Sequence, residues 1–527
     1  MRPSPTIFSL LSSGTNAGRG RSVIRMGPIS ARLSVLLAAG GPLLFGMLLS
    51  GCVTREPMTP PQTTLPDRWS HGTPATTTAP EPSPALSWWQ SLGSPALDAL
   101  ERHALAHHPD IASVTARLAQ AEARSRSAQS ALWPALDFSA GETLSQRGNS
   151  GTTRASSFSG RIVQASEASL SVSYEIDYRG RNRALSRKAE ADLEAGRLER
   201  ESVYWSLSAE LASAYIKVLT LRERRASLQK TRQVAGEILE HLSKQVVFGH
   251  SSPLDETRQK NTIASIDAQQ AALELQYEQS LDALALLSDQ PLVALRRMIE
   301  GSLDQLQLPI IQAGLPSTLL IRRPDIRRAE AALQAAHADL QAARAALFPS
   351  LELTGERGFS SAGLSRLISP ASAFWNLGAS VAANLFDHGK LQGGIDQAEA
   401  GQQAAVAAYQ KAVRSALKDV EDNLAAVHWL EEQERAHRRS ESAARESLRL
   451  ATARHQAGAV DFLSVLEAQR SLLQIQDEGP QIRQARLNAA IGLFKALGGE
   501  MTAVPPLSIP SGVQGDYPPG GVQGQSP

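Results

Sequence analysis

The chain repeats itself over most of its length. Two landmarks recur about 215 residues apart, and later landmarks recur about 209 residues apart. The matched pairs are Pro109-Asp110-Ile111 with Pro324-Asp325-Ile326, Leu132-Trp133-Pro134 with Leu347-Phe348-Pro349, Gly180 with Gly389, and Gly249 with Gly458. Such spacing indicates duplication of one supersecondary unit, here helix, two strands, very long helix, glycine break and helix. We therefore expect a first repeat over 87–300 and a second over 301–500.

Each unit carries two segments in which apolar and polar residues alternate, the pattern of a strand with two different faces. The apolar positions are Leu136, Phe138, Ala140, Leu170, Val172, Tyr174 and Ile176 in the first unit and Leu351, Leu353, Leu377, Ala379, Val381, Ala383 and Leu385 in the second. The second segment of each pair spans about 10 residues, the length of a tilted transmembrane strand. Four strands cannot close a barrel. The chain must then share a barrel with other copies, giving eight strands in a dimer or twelve in a trimer.

The long helix of the first unit is predicted from Arg181 to Phe248, roughly 100 Å at 1.5 Å per residue. Apolar residues follow a 3.5-residue spacing from Leu207 to Val246, which favours coiled-coil packing. The matching helix, Lys390 to Ala457, has polar residues on the equivalent seam that would line water. Those polar residues are Asn423, Glu434, His437 and Glu441.

The N-terminal 51 residues read as an export signal. An apolar stretch from Leu33 to Leu49 is too short and too rich in Gly and Pro for a spanning helix, and Met26 is an alternative start. It ends in Leu49, Ser50 and Gly51 before Cys52, the sole cysteine, and resembles the lipobox of bacterial lipoproteins. That resemblance implies diacylglycerol and palmitate on Cys52, and Val53 points to the outer membrane; the alternative is a free cysteine in a core helix. Residues 52–86 form a Pro/Thr-rich tether, and 501–527 a disordered tail.

Composition excludes several functions. A net charge of +1 does not suit a nucleic-acid binder, and one cysteine cannot form an internal disulfide. The sequence has no phosphate-binding glycine loop, nucleophile elbow or HExxH motif, so we expect no enzyme activity. His103, His107 and His108 are a weak metal candidate, because no carboxylate is placed to orient their rings. We expect no metal and no cofactor beyond the lipid.

The sequence resembles the outer-membrane factors of tripartite export systems, the TolC-like channels, and within them the NodT-type efflux lipoproteins. The most specific matching run is Gly314-Leu315-Pro316-Ser317, Leu320, Arg323-Pro324-Asp325-Ile326, Ala329-Glu330, Leu333 and Phe348-Pro349. Further matches are Leu385-Phe386-Asp387 with Gly389, and Leu466-Glu467-Ala468-Gln469-Arg470. The resemblance implies a mainly α-helical homotrimer. A long coiled-coil α-helical barrel in the periplasm would continue a shared 12-stranded antiparallel β-barrel in the outer membrane, with four strands from each chain.

The resemblance also implies a passive exit duct for drugs or other toxic small solutes, served by a periplasmic membrane-fusion adaptor and an inner-membrane pump of the resistance-nodulation-division (RND) type. Gly249, Leu254, Gly458 and Leu463 are then the adaptor-contact residues at the helix tips, and a plain hairpin without a partner is the alternative. Asp461, Glu467 and Arg470 are candidates for a pore constriction, unless they belong to a solvated helix face. Two other functions stay open, a structural outer-membrane lipoprotein spacer and the exit duct of type I protein secretion.

Three further features have more than one interpretation. Trp88 and Trp89 would either anchor at the membrane interface or dock on the body of the protein. The pairs Arg224-Arg225 and Arg322-Arg323 indicate either surface charge or pairing between subunits.

Overall fold

The computed structural model describes residues 65–71, 88–146, 162–309 and 316–498, all of which belong to one compact unit, Pro57–Pro527. Several predictions fall outside these residues. They are the start at Met26, the lipobox at Leu49, Ser50, Gly51 and Cys52, most of the tether, Gly314-Leu315 and the C-terminal tail. The boundaries predicted for the signal, the tether and the two repeats stay predictions.

The first repeat contains four larger helices, one short helix and two strands. They are α1 (Pro95–His107), α2 (Pro109–Ser130), β1 (Ala135–Gln146), β2 (Ile162–Glu175), α3 (Arg181–Val247), α4 (Pro253–Ser288) and α5 (Leu292–Met298). The second repeat has α6 (Leu319–Arg322), α7 (Pro324–Ala345), β3 (Ser350–Ser361), β4 (Ala373–Ala382), α8 (Lys390–Gln456) and α9 (Phe462–Ala496). Helices, strands and glycine breaks follow one another in the same order in both halves.

The four strands form one antiparallel sheet in the order β1-β2-β3-β4. The duplication extends to the register of pairing. Ala135 lies opposite Ser173 in the first hairpin, and Ser350 lies opposite Ala382 in the second, which are the positions given by the offsets of 215 and 209. The central pair, β2 with β3, joins the two hairpins, with Val172 opposite Gly355. Both β1 and β4 are therefore edge strands of this sheet.

The long helices α3 and α8 each contain 67 residues, so each is roughly 100 Å long. Both begin after a glycine with positive φ, 78° at Gly180 and 83° at Gly389. Along α3 one row of the predicted seam is buried at seven-residue intervals, at Leu221, Leu228, Ala235 and Leu242. The coiled-coil pattern in the sequence thus arises from the packing of α3 against neighbouring helices.

Two residues of the polar seam predicted for α8, Glu434 and His437, pack against α9 rather than lining water. Glu434 is 7% exposed and accepts hydrogen bonds from Arg486 on α9 and from Arg438, 2.5 Å away on α8. His437 lies over Gly479 of α9, where an added Cβ would sit 3.0 Å from the imidazole Nε2. The glycine allows the two helices to approach closely at this level.

The main apolar core lies where the short helices cover the middle of α3 and the C-terminal part of α4; we call this level the belt. Trp88, Leu97, Leu100, Leu211 and Tyr215 are among its members. Trp88 also donates from Nε1 to the Ser208 hydroxyl over 2.9 Å. The two adjacent tryptophans, 88 and 89, therefore dock on the body, and the membrane-anchor interpretation is wrong. Leu487 and Ile491 of α9 join the same core, so the two repeats form one body.

Residues 65–71, here called the strap, lie against the second repeat. Trp69 is 8% exposed and packs among apolar residues of α7, α8 and α9, including Ile326 and Val420. The Ser70 backbone N–H and hydroxyl donate to the Glu421 carboxylate over 3.0 and 3.1 Å. This part of the predicted tether is thus an ordered piece of the belt. Among the described helices, none combines the length and apolarity required to cross a bilayer.

Candidate functional site

The ends of the two long helices have the same hydrogen-bonded turn. After α3, the Gly249 N–H donates to the Val246 carbonyl (3.0 Å) and the His250 N–H donates to the Gln245 carbonyl (2.8 Å). After α8, Gly458 and Ala459 repeat both bonds to His455 and Arg454, each 2.9 Å long. This is the Schellman motif, which requires a left-handed residue. Gly249 has φ 75° and Gly458 has φ 72°, so the predicted reversal at both glycines is confirmed.

The helices that return from these turns begin with strong caps. Ser252 accepts a hydrogen bond from the Leu254 N–H (3.1 Å), and Pro253 occupies the first position of α4. At α9, the Asp461 carboxylate accepts from the Ser464 N–H (3.2 Å) and hydroxyl (3.0 Å). Asp461, selected from the sequence as a constriction residue, is therefore the N-cap of α9. Asp followed by an apolar run after glycine is a helix-start signal that the sequence already contained.

Both tips expose apolar side chains. Val247 and Phe248 are 82% and 74% exposed at the first tip, beside Leu254 at 55%; Leu463 at the second tip is 39% exposed. The turns themselves leave open space, because an added Cβ at either tip glycine would meet no atom within 4 Å. A cluster of apolar side chains at the end of a long hairpin is typical of a surface that another protein covers.

Glu467 and Arg470 lie three residues apart on the exposed face of α9. No ion pair joins them to each other or to another side chain in the part of the chain that the structure describes. Arg470 lines a polar groove of about 830 Å³ between α4 and α9, together with Gln269, Gln474 and Glu478. Glu467 and Arg470 thus share one exposed surface of α9, whereas Asp461 caps the start of that helix.

A bidentate ion pair that the sequence analysis missed lies at the bottom of this groove. Arg224 of α3 donates from Nε and Nη2 to the two Asp477 carboxylate oxygens over 2.7 and 2.8 Å. It links the first repeat to the second within one chain. The neighbouring Arg225 pairs with Glu274 of α4 at 2.5 Å and lies 4.4 Å from the Tyr277 ring centre. Pairing of these two arginines between subunits is therefore wrong.

Arg323 is a second missed ionic group, with its side chain 9% exposed. It donates to the Asp325 carboxylate (2.9 and 2.7 Å), to Asp419 of α8 (3.0 Å) and to the Ala496 carbonyl at the end of α9 (2.9 Å). Burial raises the pKa of Asp325, but the Arg323 hydrogen bonds and charge outweigh it, so this pKa lies below its usual value. Two adjacent arginines carry no sequence pattern that indicates burial. Arg323 was therefore interpreted from the sequence as surface charge or as a contact between subunits.

The sheet has two chemically different faces. One carries exposed apolar side chains, among them Leu136, Phe138, Trp375, Leu377 and Val381. The opposite face carries Asp137, Glu167, Glu175, Glu352 and Glu356, and no Lys or Arg of the described strands lies on it. An apolar face opposite a charged face is the pattern of a strand that separates hydrocarbon from water.

The histidines do not form a metal site. The His103 and His107 rings are stacked with centres 4.4 Å apart, and His103 Nδ1 is 3.0 Å from the Ser288 carbonyl. His108 instead accepts from the Asp110 N–H and caps α2. In the residues that the structure covers, no group of three or more His, Cys, Asp or Glu side chains is arranged to hold a metal.

Comparison with known proteins identifies the family. The sequence model of the outer membrane efflux protein family matches residues 100–288 and 315–499, which lie in the two halves of the duplication. The chain belongs to the outer membrane efflux protein family. It is 37% identical over 417 residues to the pyoverdine export outer membrane protein OpmQ of Pseudomonas aeruginosa, covering 78% of this chain and 87% of that protein. It is 29% identical over 462 residues to the cation efflux system protein CusC of Escherichia coli K12, covering 87% and 98%.

Solved structures show the same architecture. A membrane protein from Pseudomonas aeruginosa superposes with a TM-score of 0.77 at 28% identity, over 85% of this chain and 98% of that one. The outer membrane protein VceC of Vibrio cholerae gives 0.74 at 26% identity, over 79% and 99%. The chain is therefore an outer-membrane efflux channel and not an enzyme, with its strands in the outer membrane and its helical barrel in the periplasm. The predicted family, the fold that combines a helical barrel with a β-barrel, the efflux-channel function and the outer-membrane location are confirmed, whereas the trimer and the lipid anchor stay predictions.

Proposed function

We propose that three copies of this chain form one exit channel, in which a shared twelve-stranded barrel continues into a periplasmic helical tube. The single observation that carries the proposal is the open sheet: β1 pairs with β2, β4 pairs with β3, and neither edge has a second partner in the described chain. In hydrocarbon, each unpaired backbone group costs several kcal/mol. Pairing β4 of one copy with β1 of the next removes both edges.

The internal duplication supports a specific register for that contact. Within one chain, β2 of the first hairpin pairs with β3 of the second, with Val172 opposite Gly355 and Ala168 opposite Phe359. If neighbouring copies repeat this geometry, β4 pairs with the next β1 at the equivalent positions. Val381 then lies opposite Ala140 of the neighbouring protomer, and Leu377 opposite its Leu144. All four residues belong to the apolar face of the sheet, as a continuous barrel requires.

Cysteine cross-linking tests this register, because Cys52 is the only native cysteine. A chain carrying Val381→Cys and Ala140→Cys should form covalent trimers on mild oxidation in membranes, since directly opposite Cβ atoms lie about 5 Å apart. The matched control combines Val381→Cys with Gly141→Cys, because adjacent strand residues point to opposite faces. An added Cβ at Gly141 meets open space. Equal cross-linking of both pairs, or of neither, would overturn the register.

The channel is proposed to be lipid-anchored through Cys52. Leu49, Ser50 and Gly51 precede this cysteine in the order of a lipobox, and diacylglycerol with palmitate would hold the processed chain at the membrane more firmly than a single acyl chain. Palmitate labelling of cells that express the wild type and Cys52→Ala tests the anchor. We expect the label to be lost in the variant. Unchanged labelling would refute the lipobox.

The tips are proposed to contact a periplasmic membrane-fusion adaptor, which links the channel to an inner-membrane RND pump. The paired reversals at Gly249 and Gly458, with Leu254 and Leu463 exposed beside them, support this contact. Glu467 and Arg470 are proposed to line the constriction near the tip, whereas Asp461 contributes through its cap. The transported substrate is proposed to be a small solute that the pump selects. Two relatives are named for the export of such solutes, pyoverdine in one case and cations in the other.

A further inference from the structure

A polar pocket of about 360 Å³ lies where the sheet meets the helices. The end of β2, the start of β3 and the segment after β4 form its walls, and the first turn of α3 lies beside it. All strand ends connected to helices lie at this end of the sheet, which is the periplasmic end of the membrane-spanning segment. The pocket is therefore at the level where the headgroups of the periplasmic leaflet surround a barrel.

Arg179 lines this pocket in a fixed position. Its guanidinium carbon lies 3.8 Å from the Phe348 ring centre and 5.7 Å from that of Tyr178. The Tyr178 ring is itself held, because its hydroxyl donates to the Pro349 carbonyl over 2.9 Å. Stacking on an aromatic face attracts the cation and leaves the guanidinium edge open. The aromatic pair thus orients the cation without using its N–H donors.

The other arginines at this junction are already paired. Arg181 lies 3.6 Å from the Glu175 carboxylate, and Arg183 donates from Nε to the Asp177 carboxylate over 3.2 Å. Arg179, by contrast, makes no hydrogen bond or ion pair with any residue of the described chain, and its Nε is buried without a partner. An oriented guanidinium with unused donors fits a planar pair of anionic oxygens.

The surroundings select a lipid as the source of that anion. Phe348 and Leu347 at the mouth of the pocket are 44% and 50% exposed, and the lipid-facing side chains of β3 begin just above them at Leu351 and Leu353. Aromatic residues with a cation at a membrane interface place an apolar body against acyl chains and a charge against headgroups. We propose that Arg179 binds the phosphate of a glycerophospholipid in the periplasmic leaflet, one lipid per chain.

The second repeat lacks an equivalent site. Counted from the matched glycines Gly180 and Gly389, the residue in the place of Arg179 is His388, and Trp133 stands in the place of Phe348. A histidine side chain has no bidentate fork of N–H donors. Only the first repeat thus carries the arginine of this lipid site, and a trimer would bind three lipids rather than six.

Native mass spectrometry of the purified full-length channel tests the proposal, with phosphatidylglycerol titrated into detergent. We expect up to three tightly held lipids per trimer and about a 10-fold weaker apparent affinity in Arg179→Gln, because a charge-assisted bidentate contact is lost. Arg179→Lys should fall between the two. The matched control is Arg439→Gln, which removes an exposed, unpaired arginine of α8 about 70 Å along the helix from the junction.

Equal lipid retention by the wild type and Arg179→Gln would overturn the site. Displacement of the bound lipid by millimolar inorganic phosphate would indicate a general anion site and overturn the lipid assignment. Trimer retention on a native gel confirms that each variant is folded. The proposal rests on the outer-membrane location of the sheet, and drug efflux by Arg179→Gln should persist, so loss of the lipid site is distinguishable from loss of channel function.

Discussion

In the first repeat, α1 runs for 13 residues and covers the middle of α3, whereas the equivalent α6 in the second repeat has four residues. The buried residues of α3 that α1 and its neighbours cover are large, including Tyr204 and Tyr215. Their counterparts on α8 are Val413 and Leu424, and part of the space above them is filled by Trp69 of the strap. Duplication preserved the tube-forming helices and left the belt to be completed differently in each half.

The residue that begins the helix after this cover shows the same divergence. His108 in the first repeat accepts a hydrogen bond from the Asp110 N–H and is an ordinary N-cap. Its counterpart Arg323 cannot accept and instead donates to two carboxylates and a helix-end carbonyl. The second repeat thus has an ionic group where the first repeat has a helix cap. The predictions below test whether the two halves of the belt depend on different forces.

The largest effect is expected for Arg323→Leu. Removing a buried cation leaves Asp325 and Asp419 without their partner, and breaking such pairs typically costs about 3–5 kcal/mol. His108→Ala, the matched change in the first repeat, should cost about 1 kcal/mol for a lost cap. Thermal unfolding of purified trimers measures both. Equal losses at the two positions would show that the ionic group is not what distinguishes the second repeat.

This ionic group also predicts a pH dependence. The pKa of Asp325 is lowered in the folded chain, so the stability gained from its pairing is present above the unfolded-state pKa, about 3.9, and is lost as pH falls through the folded value. The melting temperature of the wild type should therefore drop below about pH 4 more steeply than that of Arg323→Leu. Parallel curves for the two proteins would contradict the assignment.

Next in size is Trp69→Ala in the strap. Truncating a buried tryptophan typically costs about 3–5 kcal/mol, and a peripheral site should lie at the low end. Cys52→Ala provides the control, because it removes the proposed lipid and leaves the strap intact. We expect Trp69→Ala to lower the melting temperature of detergent-purified trimers and Cys52→Ala to leave it unchanged. The reverse result would mean that the strap serves the anchor and not the belt.

The tips should respond in function more than in stability. Gly458→Val forces a β-branched residue to φ 72°, at a cost of roughly 1–2 kcal/mol, although no atom obstructs the new side chain. We expect normal trimers and reduced drug tolerance in cells that depend on this channel. Gly458→Asn is the control, since asparagine accepts the left-handed region. Wild-type tolerance in Gly458→Val would argue against the tip as the pump-coupling surface.

The smallest effect concerns Glu101 of α1 in the belt. Its side chain is fully buried, and burial raises its pKa well above the usual value, against a smaller lowering by the nearby Ser208 hydroxyl. The folded chain therefore binds this proton more tightly, so stability falls as pH rises from about 4.3, the unfolded-state value, to the folded pKa. Glu101→Gln should melt higher than the wild type at pH 8 and equally at pH 4. A lower melting temperature at pH 8 would contradict this.

The sequence was sufficient for the strands, the long helices and the reversals because these depend on period and on duplicated landmarks. Leu221, Leu228, Ala235 and Leu242 are buried at seven-residue intervals for the reason that their spacing predicts. Trp69 was missed because the surrounding composition is that of a tether, and one aromatic residue that docks far along the chain leaves no periodic trace. Arg323 and Arg224 were missed because an ion pair depends on tertiary contacts.

The functional residues divide in the same way. Gly249 and Gly458 are identifiable from sequence because a left-handed turn demands glycine. Asp461 was assigned to a constriction although its position before an apolar run already marked it as a cap. Glu467 and Arg470 share an exposed surface, and their proposed role depends on neighbouring copies. Residues that act through local backbone geometry can be predicted, whereas residues that act across an assembly require its coordinates.

The offset between the two repeats changes from 215 to 209 within the hairpins of the sheet. The first strand of each hairpin and the helix before it have the first offset, and the long helices have the second. The second repeat is therefore shorter than the first in its hairpin, at the end of the sheet farthest from the helices. This end faces the cell exterior. The two long helices kept one length, 67 residues each, while the hairpin at the cell surface was free to change. An epitope inserted between β3 and β4 should therefore be displayed outside without altering transport.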